Sequence, residues 1–143
     1  MRTTGRTGRG PQHGMPPPRL LVIDDEAAVR EVLCEFLKVL GYDVEAARDE
    51  ADGLARLARE RFDLVVTDLH MPHLDGWDVL ESARAIAPEM PVIILTGTAT
   101  DDDRKRARAQ GVRLLSKPVD LPELKAAVRD SLANQRGAGS SGP

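Results

Sequence analysis

The stretch Leu64-Val65-Val66-Thr67 runs directly into Asp68. A short apolar run of this kind, rich in β-branched residues, reads as a strand buried on both faces, the signature of a parallel sheet. The same arrangement recurs three times: Leu20-Leu21-Val22-Ile23 ends in Asp24-Asp25, Val92-Ile93-Ile94-Leu95 ends in Thr96, and Leu114-Leu115-Ser116 ends in Lys117-Pro118. Ligands of open α/β sheets bind beyond the carboxyl ends of the strands. Four strand ends therefore deliver an acid pair, a lone acid, a hydroxyl and an ammonium to one crevice.

The segments between these runs are helical in pattern. Val29, Val32, Leu33, Phe36, Leu37 and Leu40 form one apolar stripe, and Gly41 fits the C-terminal stop of that helix. Tyr42 to Ala46 is a short strand and Asp49 to Arg59 a second helix, weakened by Gly53. Asp63 to Thr67, Pro91 to Thr96 and Arg113 to Ser116 complete the strands. Gly76 to Ala87 is a third helix, ended near Pro88. Asp101 to Gln110 is a fourth, acidic at its start and basic later, as the helix dipole favours. Leu121 to Ala133 is the last, with Pro122 in its first turn. Five βα units with right-handed crossovers make a doubly wound α/β domain.

Residues 1–18 are rich in Gly, Pro, Thr and Arg and read as a disordered leader. Residues 134–143 read as a flexible, Gly- and Ser-rich tail, leaving 19–133 as the one domain. At 143 residues, 41% hydrophobic and 30% charged, the chain can bury a substantial core. A net charge of -3 gives no global case for direct nucleic-acid binding. The single cysteine, Cys34, excludes an internal disulfide and suits the reducing cytoplasm. No apolar stretch is long enough to span a bilayer, so no membrane partner is expected.

Asp24, Asp25 and Asp68 repel one another unless a counter-ion intervenes. Clustered carboxylates without Cys or His ligands favour a hard cation, and Mg²⁺ suits them because it keeps water and phosphate oxygens in its shell. Lys117 adds a positive charge and Thr96 a hydroxyl donor, so phosphate is the natural guest. The chain lacks GxxxxGK[ST] and GxGxxG, which leaves neither a P-loop nor a dinucleotide site. Asp68 itself is a candidate to take a phosphoryl group as an acyl phosphate.

The pieces LLVIDDE (20–26), VVTDLHMPHLDGWDVL (65–80), VIILTG (92–97) and LLSKP (114–118) together resemble the receiver domain of two-component response regulators. The resemblance implies a flavodoxin-like fold of five parallel strands in the order 2-1-3-4-5 with five helices. It implies Asp68 as phosphoacceptor, Asp25 as a direct Mg²⁺ ligand and Asp24 as one acting through metal-bound water. It also implies the backbone carbonyl of His70 as a ligand, with Thr96 and Lys117 on the phosphoryl group. The donor is then a histidine kinase or a histidine phosphotransfer protein, and the output a protein contact by a monomer or weak dimer. The module is expected to stand alone or to belong to a hybrid kinase or a longer regulator, and to be no enzyme beyond assisting its own phosphorylation and dephosphorylation.

Two departures bear on output. Receivers usually carry Tyr or Phe three residues before the lysine, where this chain has Leu114, and the connection from Gly111 to Lys117 is one residue shorter than the usual pattern. The aromatic half of the usual switch is therefore absent. A Mg²⁺-dependent phosphohydrolase would need an acid at position 70, which is His70, and an FMN carrier would need a hydroxyl-rich loop where Asp24-Asp25-Glu26 stand. His70 and His73 read as polar loop surface, Trp77 as packing at the start of the third helix, and Arg104 to Arg108 as a solvated face.

Overall fold

Five parallel strands form one sheet in the order β2-β1-β3-β4-β5 in the computed structural model, which describes residues 16–141, with side chains through 134. The elements alternate: β1 (Arg19–Ile23), α1 (Ala27–Val39), β2 (Asp43–Ala47), α2 (Glu50–Arg59), β3 (Leu64–Asp68), α3 (Gly76–Ile86), β4 (Val92–Thr96), α4 (Asp101–Gln110), β5 (Arg113–Ser116) and α5 (Leu121–Ser141). All but the last three residues of the leader expected at 1–18, and the end of the tail, lie outside the described residues.

The strand side chains divide between two apolar layers, as the two-residue period of a strand requires. Leu21, Ile23, Val65, Val92 and Ile94 pack with Leu57, Val79, Leu80, Ala83 and Ala107 of α2, α3 and α4. Leu20, Val22, Leu64, Val66, Ile93 and Leu95 pack with Leu33 and Leu37 of α1 and Leu124, Ala127 and Val128 of α5. Every residue of β3 and β4 is buried, which explains why those runs show no polar alternation.

Local signals set the boundaries. Gly41, at φ 104, ends α1 with a Schellman pair: its N–H donates to Lys38 O at 2.9 Å and that of Tyr42 to Leu37 O at 3.2 Å. Capping boxes Asp75–Asp78 and Thr100–Asp103 start α3 and α4. A Cβ at Gly53 would collide with Ile23 Cδ1 and Cγ1, so a side chain there requires Ile23 to shift. The helix gives up propensity so that α2 can lie close on β1.

Several expectations shift. Val32 belongs to the apolar stripe of α1 yet is 54% exposed, because it sits at the stripe's edge beyond the reach of the sheet. β2 starts at Asp43 rather than Tyr42, and β3 includes Asp68. The helix expected to stop at Ala133 continues as α5 to Ser141, so the stretch read as tail is helical over most of its length. Once nucleated, each added residue gains a backbone hydrogen bond, which can outweigh the low propensity of Gly137 and Gly139.

Candidate functional site

The register of the sheet aligns the strand ends. Asp68 is paired with Leu95, and Thr96 with Ser116. The Lys117 N–H donates to Thr96 O at 2.9 Å, so the lysine leaves β5 directly beside the end of β4. Asp24 follows β1, its N–H donating to Ala47 O at 3.2 Å. Asp24, Asp68 and Thr96 are buried at 0%, 6% and 1% exposure, whereas Asp25 is exposed.

Carboxylate oxygens of Asp24, Asp25 and Asp68 all lie within 4.8 Å of one another. Lys117 Nζ bridges two of these acids, 3.1 Å from Asp24 Oδ2 and 3.1 Å from Asp68 Oδ2. It also lies 3.4 Å from Glu26 Oε1. The remaining oxygen of Asp24 accepts the Glu26 N–H at 2.9 Å, and Arg30 Nη1 donates to Asp24 O at 2.7 Å. Both carboxylate oxygens of Asp24 are thus already engaged by the protein, while Asp25 faces solvent.

Burial pushes the Asp68 carboxyl above the usual carboxylate range; the Lys117 hydrogen bond and charge pull it down, and the charge of Asp24 adds to the rise. For Lys117, burial acts downward but is outweighed by the hydrogen bonds and charges of Asp24 and Asp68, which hold the ammonium above its ordinary value. The lysine is a fixed cation among anions.

The loop after Asp68 curls back on the strand end. The Leu69 N–H donates to Leu95 O, and the Gly76 N–H returns to Leu69 O, both at 2.8 Å. A Cβ on Gly76 would stand 3.0 Å from Asp68 O and 3.1 Å from Leu69 Cα, so the start of α3 can press against the strand end only without a side chain. The His70 N–H points to Asp68 Oδ1 at 3.4 Å. The His70 ring is outside the acidic cluster: its Nε2 lies 3.3 Å from Thr98 Oγ1, and Thr98 N–H donates to Thr96 Oγ1 at 3.1 Å.

Sequence reasoning missed three participants and one contact outside the cluster. Glu26 and Arg30 frame Asp24 from the start of α1. Glu50 accepts backbone N–H groups of the loop after Asp68. Arg106, expected as part of a solvated face, lies over the buried Trp77 ring at 4.5 Å. Glu26 stood inside a quoted motif, but the others become visible only when the topology brings distant segments together.

The model of the response regulator receiver domain matches residues 20–129. The chain belongs to that family. It is 40% identical over 117 residues to the transcriptional regulatory protein GlrR of Escherichia coli K12, covering 81% of this chain and 26% of that protein. It is 39% identical over 129 residues to the response regulator MprA of Mycolicibacterium vanbaalenii, covering 87% of this chain and 56% of the relative. The chain thus spans only part of the length of these curated relatives. Among solved structures, a CheY-like receiver domain protein of Methanospirillum hungatei superposes with a TM-score of 0.78 at 30% identity, covering 85% of this chain and 98% of that one. A receiver domain of Clostridium thermocellum does so with 0.78 at 33%, covering 83% and 97%. The receiver has the strand order expected from the sequence, and among its described residues no helix is long and apolar enough to cross a membrane.

Proposed function

We propose that this receiver takes a phosphoryl group on Asp68 from a phosphohistidine of a histidine kinase or phosphotransfer protein, and signals the change by protein contact. The observation that carries the reading is the convergence of Asp24, Asp25, Asp68 and Lys117 at adjoining strand ends. An Asp68 carboxylate oxygen attacks phosphorus; the phosphorus–nitrogen bond breaks, and its electron pair stays on the imidazole, which then takes a proton.

The donor set of hard oxygens within 4.8 Å suits Mg²⁺, with Asp25, Asp68 and the His70 carbonyl as ligands and Asp24 acting through a metal-bound water. Mg²⁺ bound there supplies positive charge against the oxygens of the transferring group. Lys117 offers its ammonium to a phosphoryl oxygen from its place beside Asp68. Thr96, whose hydroxyl oxygen accepts from Thr98 N–H, turns that hydroxyl to donate to the same group. Its movement alters the strap through Thr98 to His70. Leu114 packs partly buried against the apolar layer and has no hydroxyl or ring quadrupole with which to report the event, so the route through Thr96 and Thr98 carries it toward α4.

Beryllofluoride, a mimic of the phosphoryl group, tests the site without a donor protein. In the presence of Mg²⁺ the wild type is expected to bind one equivalent by calorimetry, and Asp68→Ala none. Binding by the variant, or none by the wild type, contradicts the reading.

A further inference from the structure

Glu50, the first residue of α2, is 2% exposed, and nothing in the phosphorylation chemistry above uses it. Acidic side chains are almost never this buried without partners, because desolvating a carboxylate costs several kcal/mol. What it holds is backbone. One oxygen, Oε2, accepts the His73 N–H at 2.9 Å and the Leu74 N–H at 2.7 Å; the other, Oε1, is buried with no hydrogen-bond partner.

These two N–H groups belong to the connection between β3 and α3, the segment that begins at Asp68 and carries His70. Its near limb is pinned by the sheet and by the acceptor itself, through Leu69 to Leu95 O and His70 to Asp68 Oδ1. Its return is closed by Gly76 to Leu69 O and by the Asp75–Asp78 capping box. Between those points the chain includes Pro72, which has no N–H to give, and the two N–H groups after it are those that Glu50 takes. The carboxylate comes from a different element, 23 and 24 residues away.

A neutral residue could fill the same volume. An anion does more: charge-assisted hydrogen bonds are roughly twice as strong as neutral ones, and a single carboxylate oxygen can accept both donors. The N-terminus of α2, already capped by Asp49, favours the negative charge at this position. We infer that Glu50 is a positioning residue of the phosphorylation site, strapping the β3–α3 connection in the curve that sets His70 beside the acidic cluster. This rests on the reading of that cluster as a Mg²⁺-dependent phosphoacceptor site. Residues that orient the ligands of a metal in this way change its affinity by on the order of ten- to a hundredfold when removed.

The test is Mg²⁺ binding by calorimetry to the unphosphorylated protein, held well below its melting temperature, for the wild type, Glu50→Gln, Glu50→Ala and Leu57→Ala. The last is a control, destabilising α2 through the core while leaving the Glu50 carboxylate in place. Glu50→Ala is expected to weaken Mg²⁺ by about tenfold or more and Glu50→Gln by less, with Leu57→Ala within about twofold of wild type. Amide exchange at His73 and Leu74 should rise in the same order without metal. Wild-type affinity in both Glu50 variants, or an equal loss in Leu57→Ala, overturns the inference while leaving the site reading intact. Absence of Mg²⁺ binding by the wild type overturns that reading itself, and the inference with it.

Discussion

The Lys117 ammonium stands 3.1 Å from the Asp68 carboxylate, although their strands, β5 and β3, are separated by the whole of β4. The same ammonium is 3.1 Å from Asp24, so one cation neutralises two buried acids that would otherwise repel. Removing it leaves an uncompensated pair of charges. Lys117→Met is expected to destabilise the fold by roughly 2–4 kcal/mol in the absence of divalent cations. Added Mg²⁺ should restore more stability to this variant than it adds to the wild type, because it supplies the missing positive charge. Thermal unfolding with and without Mg²⁺ measures both effects; equal melting temperatures in metal-free buffer would refute the electrostatic account.

Two buried acids should respond to pH in opposite senses. Asp68 is held above the usual carboxylate range by burial, so the folded chain takes up its proton at higher pH than the unfolded chain. Its ionised form therefore costs stability at neutral pH, a cost relieved as pH falls through the folded value. For Glu50, burial acts upward but is outweighed by the backbone N–H groups of Glu50, Leu74 and His73 and by the charge of His73, which leave it below the usual range. Its contribution is present above the unfolded value and lost as pH falls through the folded one. Asp68→Asn should raise the melting temperature at pH 7, whereas Glu50→Gln should lower it. A pH series of denaturant unfolding checks the signs.

Gly53 tests how closely α2 must approach β1. Alanine is favoured over glycine within a helix by about 1 kcal/mol, but its methyl carbon would collide with Ile23 Cδ1 and Cγ1. Overpacking of this kind costs about 1–3 kcal/mol, so Gly53→Ala should be net destabilising. Combining it with Ile23→Val should lose less than the two single changes sum to, a coupling that a double-mutant cycle reads directly.

Cys34 is buried, and burial is the main cause that raises its thiol above its ordinary value. Modification by a disulfide reagent should be slow in the folded protein and fast in denaturant. Rapid native-state labelling would show that α1 opens locally.

Much of this was legible in the sequence for a physical reason. β3 and β4 are buried throughout, so their apolar runs are unbroken and their ends are marked by the residues that must leave the core: Asp68 and Thr96. The helix starts at Gly76 and Asp101 were legible in the right place, and the structure adds the capping boxes at Asp75 and Thr100 that fix them. What could not be read is what the topology brings together from a distance. Glu50 looks like an ordinary first-turn acid until the loop at His73 and Leu74 closes over it. Arg106 looks like one of several solvated cations until Trp77 of α3 lies beneath it. Gly53 reads as a weakness in a helix, and only the position of Ile23 explains it.

The reading of Asp68 as the phosphoacceptor is met most directly by intact mass after incubation with acetyl phosphate, with and without Mg²⁺. The wild type should gain the mass of one phosphoryl group only when Mg²⁺ is present, and Asp68→Asn should gain none. Labelling of Asp68→Asn to the wild-type extent, or no labelling of the wild type by acetyl phosphate or any phosphohistidine donor, would contradict it.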